Sequence, residues 1–242
     1  MGFSGGAGAG LLEPKPSQTI AIPVIPDSGS ANGLSSPTRG TSAAVPGSGS
    51  AIAGRSAGSN GLAGPSAKSK ICGRPGARLV RFRVLVESRL ATTPGQFVTD
   101  LLTVLCDKRS WTGSGRVRFQ YDPQGPLLIG LRSPKSTERR CMSLIHLSVN
   151  RYYSCGTPRE VVLNSDRWFT GSRYWPGSVS AYRPMLVNHE VGHAIGQHHR
   201  SCPKDGALSP VMMQQSKSTT TGGNTCKPNP WPLSYEWRSV RR

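Results

Sequence analysis

Between residues 79 and 87 apolar and polar positions alternate, with Val80, Phe82, Val84 and Val86 on one side of an extended chain and Arg81, Arg83 and Glu87 on the other. Successive side chains of a strand point to opposite faces, so a period of two predicts a half-buried strand. From Pro94 to Cys106 the period lengthens. Phe97, Leu101, Val104 and Leu105 recur at i, i+4, i+7 and i+8, which predicts an amphipathic helix with Thr93 as N-cap and Pro94 in its first turn. Further strands are expected at 116–121, 127–132 and 143–149, and another at 160–164. A second helix is expected from about Ser180 to Ile195, with Pro184 tolerated only in its first turn and Gly196 ending it. Beyond Gly196 the chain is rich in Pro, Gly, Ser and Thr and predicts irregular structure. The succession of strand, helix, several strands, helix and loop argues for an α+β domain built on one mixed, twisted sheet, and there is no internal repeat.

Composition divides the 242 residues. Gly, Ser, Ala and Pro make up 14, 13, 11 and 7 of the first 70 positions, and Phe3 is the one aromatic there. Such a stretch buries too little apolar surface to offset its ordering entropy, so residues 1–70 are expected to be a disordered tether or leader. All six cysteines, five histidines, five tryptophans and six tyrosines lie in 71–242, the expected folded domain. A domain of that size buries roughly 70% of its unfolded surface, enough for a core without a structural metal, so any metal is free to be functional.

The net charge is +18, carried mostly by arginine. A surplus of this size suits an anionic cell-envelope surface, an acidic substrate or nucleic acid. Nucleic acid is the weakest of the three. Arg81 and Arg83, and again Arg116 and Arg118, alternate with apolar residues as on solvated strand faces, no block of five like charges occurs, and no nucleic-acid-binding motif is present.

Cys72, Cys106, Cys141, Cys155, Cys202 and Cys226 are even in number and contain no Cys-x-x-Cys pair, which favours disulfides in an exported protein. Proximity along the chain favours Cys141 with Cys155 and Cys202 with Cys226, which leaves Cys72 with Cys106. An extracellular or envelope-associated location follows if they are oxidised. Met1 to Gly10 has neither a basic n-region nor an apolar h-region, so export requires a signal or anchor upstream of this chain; the other reading is free buried thiols in the cytosol.

The chemistry concentrates in the stretch from Asn188 to His199. Residues four apart on a helix share a face, so His189 and His193 can present two imidazole nitrogens to one ion, with Glu190 placed to reach a metal-activated water. A catalytic zinc needs a third protein ligand and one open position. Gly196 can adopt positive φ and turn the chain so that His199 returns to the metal, with the adjacent His198 facing solvent or supporting the site. At this chain's own residue frequencies the five fixed positions of H-E-x-x-H-x-x-G-x-x-H would occur by chance about six times in a million.

This stretch resembles the active-site helix of the metzincin clan of zinc metallopeptidases. The segment Ser209-Pro210-Val211-Met212-Met213-Gln214 is similar to the clan's methionine turn beneath the metal, with Met212 the better match and Met213 the alternative. More closely, the chain resembles an uncharacterised actinobacterial metzincin-like domain family. The supporting stretches are Trp111-Thr112-Gly113 with Gly115-Arg116-Val117-Arg118-Phe119, Tyr152-Tyr153-Ser154-Cys155, and Cys226-Lys227-Pro228-Asn229-Pro230-Trp231-Pro232. The resemblance implies a metzincin-like fold with one backing helix, one active-site helix and an irregular, disulfide-held C-terminal part. It implies Zn2+ as cofactor, Glu190 as general base, a peptide or protein substrate and action as a monomer. Substrate would lie extended along an edge strand, here 143–149 or the strand before it, with specificity pockets at the 202–226 loop and Trp231. Two departures stand out: Gln214 occupies the place where some clan members carry a tyrosine, and the usual C-terminal helix is expected to be short or missing. An inactive envelope-binding module and a basic polymer binder are the competing readings.

Overall fold

The structure, a computed structural model, describes residues 64–241. Residues 1–63 of the expected tether lie outside the described residues. The elements are β1 (Arg78–Val86), α1 (Pro94–Leu105), a 3-10 turn (Trp111–Ser114), β2 (Val117–Tyr121), β3 (Leu127–Arg132), α2 (Pro134–Ile145), β4 (Cys155–Gly156), β5 (Glu160–Asn164), α3 (Ser165–Thr170), α4 (Val179–Ala194), a small hairpin of β6 (Thr220–Thr221) and β7 (Asn224–Thr225), and α5 (Ser234–Ser239).

The main sheet has the order β2-β1-β3-β5-β4, with every neighbouring pair parallel except the antiparallel edge pair of β4 and β5. The domain is therefore α+β with a mixed sheet. Strand β1 keeps its period of two: Phe82, Val84 and Val86 are buried while Arg81 is exposed. Helix α1 is capped by the Thr93 hydroxyl, which accepts from Gln96 N at 3.1 Å, and it buries Phe97, Leu101, Val104 and Leu105. Phe97 meets Trp168 edge-on at 5.2 Å between ring centroids.

Strand β5 is buried at all five positions because both of its faces are covered. Val161 and Leu163 join the large core beneath α1 and α4, whereas Val162 packs into a second, smaller core with Cys141, Val149 and Cys155. That second core belongs to α2, which was not expected. The segment expected as a strand at 143–149 is instead the last turn of α2 followed by irregular chain. Leu144, Ile145, Leu147 and Val149 look strand-like in sequence, but Pro134 starts a helix at its first position and Thr137 and Cys141, four apart, face inward. His146, at φ 56°, ends that helix. The expectation of one backing and one active-site helix is corrected accordingly, since α2, α3 and α5 are also present. Pro184 also lies one turn deeper in α4 than expected, six residues in, where its missing N–H leaves the exposed Ser180 carbonyl to water.

All three disulfides join the expected partners: Cys72 with Cys106, Cys141 with Cys155, and Cys202 with Cys226. Each closes a loop worth about 3 to 4 kcal/mol on the chain-entropy model. Residues 64–70 are part of the folded unit. Ser69 N donates to Tyr121 O at 3.0 Å, and the Tyr121 hydroxyl donates to Pro65 O at 2.8 Å.

Candidate metal centre

Helix α4 is capped at its N-terminus by Ser178, whose hydroxyl accepts from Ala181 N, and from Met185 to Gly192 every residue is buried. It is a core helix rather than an amphipathic one. The residue before the first histidine locks it in place: Asn188 accepts from the Ser110 hydroxyl at 2.7 Å and donates to Pro230 O at 3.1 Å, while its own carbonyl accepts the Trp111 indole N–H at 2.8 Å. His189 and His193 stand on one face with ring centroids 5.0 Å apart.

At the helix end Gln197 N donates back to Gly192 O at 2.9 Å, five residues earlier, and Gly196 at φ 91° makes the reversal. His199 is thereby returned to within 4.7 Å of the His193 ring and 5.2 Å of the His189 ring. One nitrogen from each of the three lies within 4.8 Å of the others, and His193 Nε2 and His199 Nε2 are 3.1 Å apart. His198 lies outside this group, so His199 is the third histidine that the fold brings to the other two.

The tautomers are fixed by carbonyls, which can only accept. His189 Nδ1–H donates to Val211 O at 2.9 Å and His193 Nδ1–H to Gln197 O at 3.0 Å, so both Nε2 atoms keep a lone pair facing the cluster. Burial pushes His189 down to about 3 and His193 to about 4, with neighbouring histidines adding to the effect, so both rings are neutral donors at neutral pH. These three residues can hold a metal ion. Glu190, beside them, is buried, and burial pushes its carboxyl up to about 8.

Beneath the helix lies Met212. A side-chain carbon on Gly192 would collide with Met212 Sδ and lie 3.0 Å from the Trp111 ring, so the absence of a side chain at Gly192 is what lets the turn approach. Met213 points instead to the Cys202–Cys226 disulfide. Of the two methionines, Met212 is the one packed against α4. The turn itself is held by Glu236 of α5, whose carboxylate accepts from Val211 N and Met212 N at 3.0 Å each and from Leu233 N at 2.8 Å. Burial raises the Glu236 carboxyl and the three backbone donors pull it back only in part. Glu236, Asn188 and Gln197 were not singled out from sequence. Of these only Glu236 had a signal, a carboxylate in the first turn of a short C-terminal helix.

A cleft of about 390 Å³ opens over His189, Glu190, His193 and His199. One wall is the loop running from Ile145 to Gly156, and another is Gln214 to Lys217 of the 202–226 loop. The edge beside the site is therefore β4, not the expected 143–149 or β3. Gly156 packs against α4 so closely that a side chain there would strike Glu190 O and come within 3.0 Å of His193 Cβ. Trp231, expected near the specificity pocket, lies outside this cleft and is covered by the Arg109 guanidinium at 4.2 Å.

A family model described as "Protein of unknown function (DUF3152)" matches residues 62–234, and the chain belongs to that family. The matched span contains the three histidines, Glu190 and Met212 and stops at the first residue of α5. No curated protein matches the chain.

Proposed function

We propose that this member of the DUF3152 family is a zinc-dependent endopeptidase of metzincin type. The observation that carries the reading is the convergence of three imidazoles, two held in the ligating tautomer by backbone carbonyls, next to a buried carboxyl on the same helix. The donor set supports zinc. Three neutral nitrogens without a thiolate or a carboxylate ligand differ from the two-histidine, one-carboxylate set of iron oxygenases and match a hydrolytic site with one position left open. Zinc, when bound, supplies a Lewis acid for the scissile carbonyl and brings the pKa of water at that position to near 7.

Glu190 does the proton work. Its carboxylate takes a proton from the attacking water and passes it to the leaving amine. Strand β4 is the sheet edge beside the cleft, along which an extended peptide can lie. Three disulfides fit an oxidising compartment, and no helix among the described residues is long and apolar enough to cross a membrane; we assign the protein to the cell exterior or envelope.

Metal analysis of the purified protein, together with cleavage of a peptide library with and without a chelator, tests the reading. His189→Ala, His193→Ala and His199→Ala are each expected to lose most of the metal. Glu190→Gln is expected to keep about one zinc per chain and the parent melting temperature within a few degrees, while hydrolysis falls by about 10²- to 10⁴-fold, the range for loss of a general base. A Glu190→Gln protein that loses zinc, or one that stays fully active, overturns the mechanism. A zinc-loaded parent that cleaves nothing points to an inactive binding module.

A further inference from the structure

The cleft over the histidines is unbalanced in charge. Apart from His189, Glu190, His193 and His199, the one lining residue that carries a charge at neutral pH is Lys217. Lys217 is exposed and makes no ion pair among the described residues. Next to it the wall continues into a platform of tyrosine and arginine. Tyr153, which lines the cleft, meets Tyr152 edge-on at 5.0 Å. Over Tyr152 stand two guanidiniums, Arg167 at 3.8 Å and Arg173 at 5.9 Å, and Arg173 also lies 4.9 Å from the Tyr174 ring.

The platform is tied to the cleft by hydrogen bonds. Arg173 N donates to the Tyr152 hydroxyl at 3.2 Å, that hydroxyl pairs with Ser172 Oγ at 3.2 Å, and Ser172 Oγ donates to the carbonyl of Ser216, the neighbour of Lys217. Arg173 is exposed, and like Lys217 it has no carboxylate partner among the described residues. A guanidinium stacked on an aromatic ring keeps its charge and its donors, so its edge remains free to take a carboxylate in a forked pair. Low-dielectric walls strengthen such a field and the net charge of +18 steers anions toward it.

We propose that the substrate is an acidic peptide, in which carboxylates flanking the scissile bond are read by Arg173 and Lys217. The inference rests on the peptidase reading above and names the substrate class of that same site. The test uses zinc-loaded Glu190→Gln protein and two synthetic decapeptides that share a central Ala–Leu bond and differ only in carrying glutamates or glutamines on both flanks. The glutamate peptide is expected to bind about tenfold more tightly at physiological salt, the scale of two partly exposed charge contacts. That ratio is expected to fall to about one in 1 M salt, where the Debye length is about 3 Å. It is expected to collapse likewise in Arg173→Ala/Lys217→Ala, two exposed positions whose variants are verified as folded by near-UV circular dichroism and zinc content. Arg173→Glu/Lys217→Glu should invert the preference. Equal binding of the two peptides at physiological salt, or a preference that survives the double alanine change, overturns the proposal. Cleavage by the parent separates the two readings. Equal kcat/KM on both peptides sinks the substrate class and leaves the peptidase standing, whereas selective binding through these residues without cleavage of either peptide sinks the peptidase and leaves the anion recognition.

Discussion

Glu236 reaches the candidate metal centre without touching it. Its carboxylate holds the N–H groups of Val211 and Met212, and the carbonyl of the same Val211 fixes the His189 ring. Removing the carboxylate leaves buried backbone donors without partners, at about 1 to 3 kcal/mol each. Glu236→Ala is therefore expected to lower the melting temperature by about 5 to 12 °C for a domain of this size. Because the carbonyl that orients a ligand moves with the turn, metal affinity is expected to fall by about 10- to 100-fold, the range for loss of an outer-shell partner. His198→Ala serves as the control and is expected to change neither; calorimetry and a competitive chelator titration read both quantities. An unchanged affinity in Glu236→Ala would mean that Val211 O is held by other contacts. Gly156 acts from the opposite side. A methyl group there meets the Glu190 carbonyl, which is helix backbone and cannot swing away, so β4 must retreat from α4. On the proposed peptidase reading, Gly156→Ala is expected to keep its zinc, since the three histidines lie outside β4, while stability falls by about 1 to 3 kcal/mol through overpacking and KM for peptide rises. Zinc content and steady-state kinetics on the same preparation check it, and a lost metal with an unchanged KM would refute the assignment of β4 to the substrate wall.

At the scale of elements, what was legible in the sequence was what is local. The spacing of His189, Glu190 and His193 needs only one helix, and Gly196 supplies the reversal for His199 within six residues, so the group of three histidines that could hold a metal ion was legible before any tertiary contact was known. Strands β1 and β2 and helix α1 announce themselves by their periods, β3 and β5 by short apolar runs, and α4 by its histidine spacing and the glycine that ends it. Helix α2 does not, because it packs a second core through little more than Thr137 and Cys141 and leaves most of its surface polar. The cleft wall that follows it is likewise a tertiary product, anchored by the Cys141–Cys155 disulfide, by Asn164 and by one carboxylate: Glu138 accepts from the Ser148 hydroxyl at 2.6 Å, Arg151 N at 2.9 Å and Val149 N at 3.1 Å. The hydrogen bond from Ser148 chiefly, then the backbone bonds, lower the Glu138 carboxyl below the usual glutamate value. The sign follows. A folded-state pKa below the unfolded one contributes stability that is fully present above about pH 4.3 and is lost as the pH falls through the depressed value. Protection of the Val149 and Arg151 amides against hydrogen exchange is thus expected to drop as pH falls below about 4, ahead of the amides of β3. In Glu138→Gln the protection of these two amides should already be weak at neutral pH and insensitive to acid. If both proteins loosen at the same pH, some other group anchors the wall.

For the molecule as a whole, the question is where the folded unit starts. Composition put the boundary near residue 70, yet the stretch from Gly64 to Ala77 behaves as a strap on the outer edge of the sheet. Tyr121 and Phe119 of β2 bond to Ser69 and Cys72, and Cys72 is joined to Cys106 just beyond the end of α1. Gly73 adds a tight contact, since a side chain there would lie 2.7 Å from Arg118 Cβ. The strap thus covers an otherwise open parallel edge and ties β2 to the backing helix. The histidines that could hold a metal ion and the methionine turn all come from α4 and the chain after it. These two facts separate stability from chemistry. A chain beginning at Gly64 keeps the strap, whereas one beginning at Arg78 loses its disulfide, worth about 2 to 5 kcal/mol, and exposes the edge of β2. The shorter protein, with Cys106 changed to Ser so that no free thiol confuses the result, is expected to melt about 5 to 15 °C below the one that begins at Gly64. It should also self-associate through the bared strand while still binding about one metal ion per folded chain with similar affinity. Differential scanning calorimetry, sedimentation velocity and metal analysis on the two proteins decide the matter. Equal melting temperatures would show that residues 64–77 are an appendage, and loss of metal in the shorter protein would show that the sheet edge and the site form one cooperative unit.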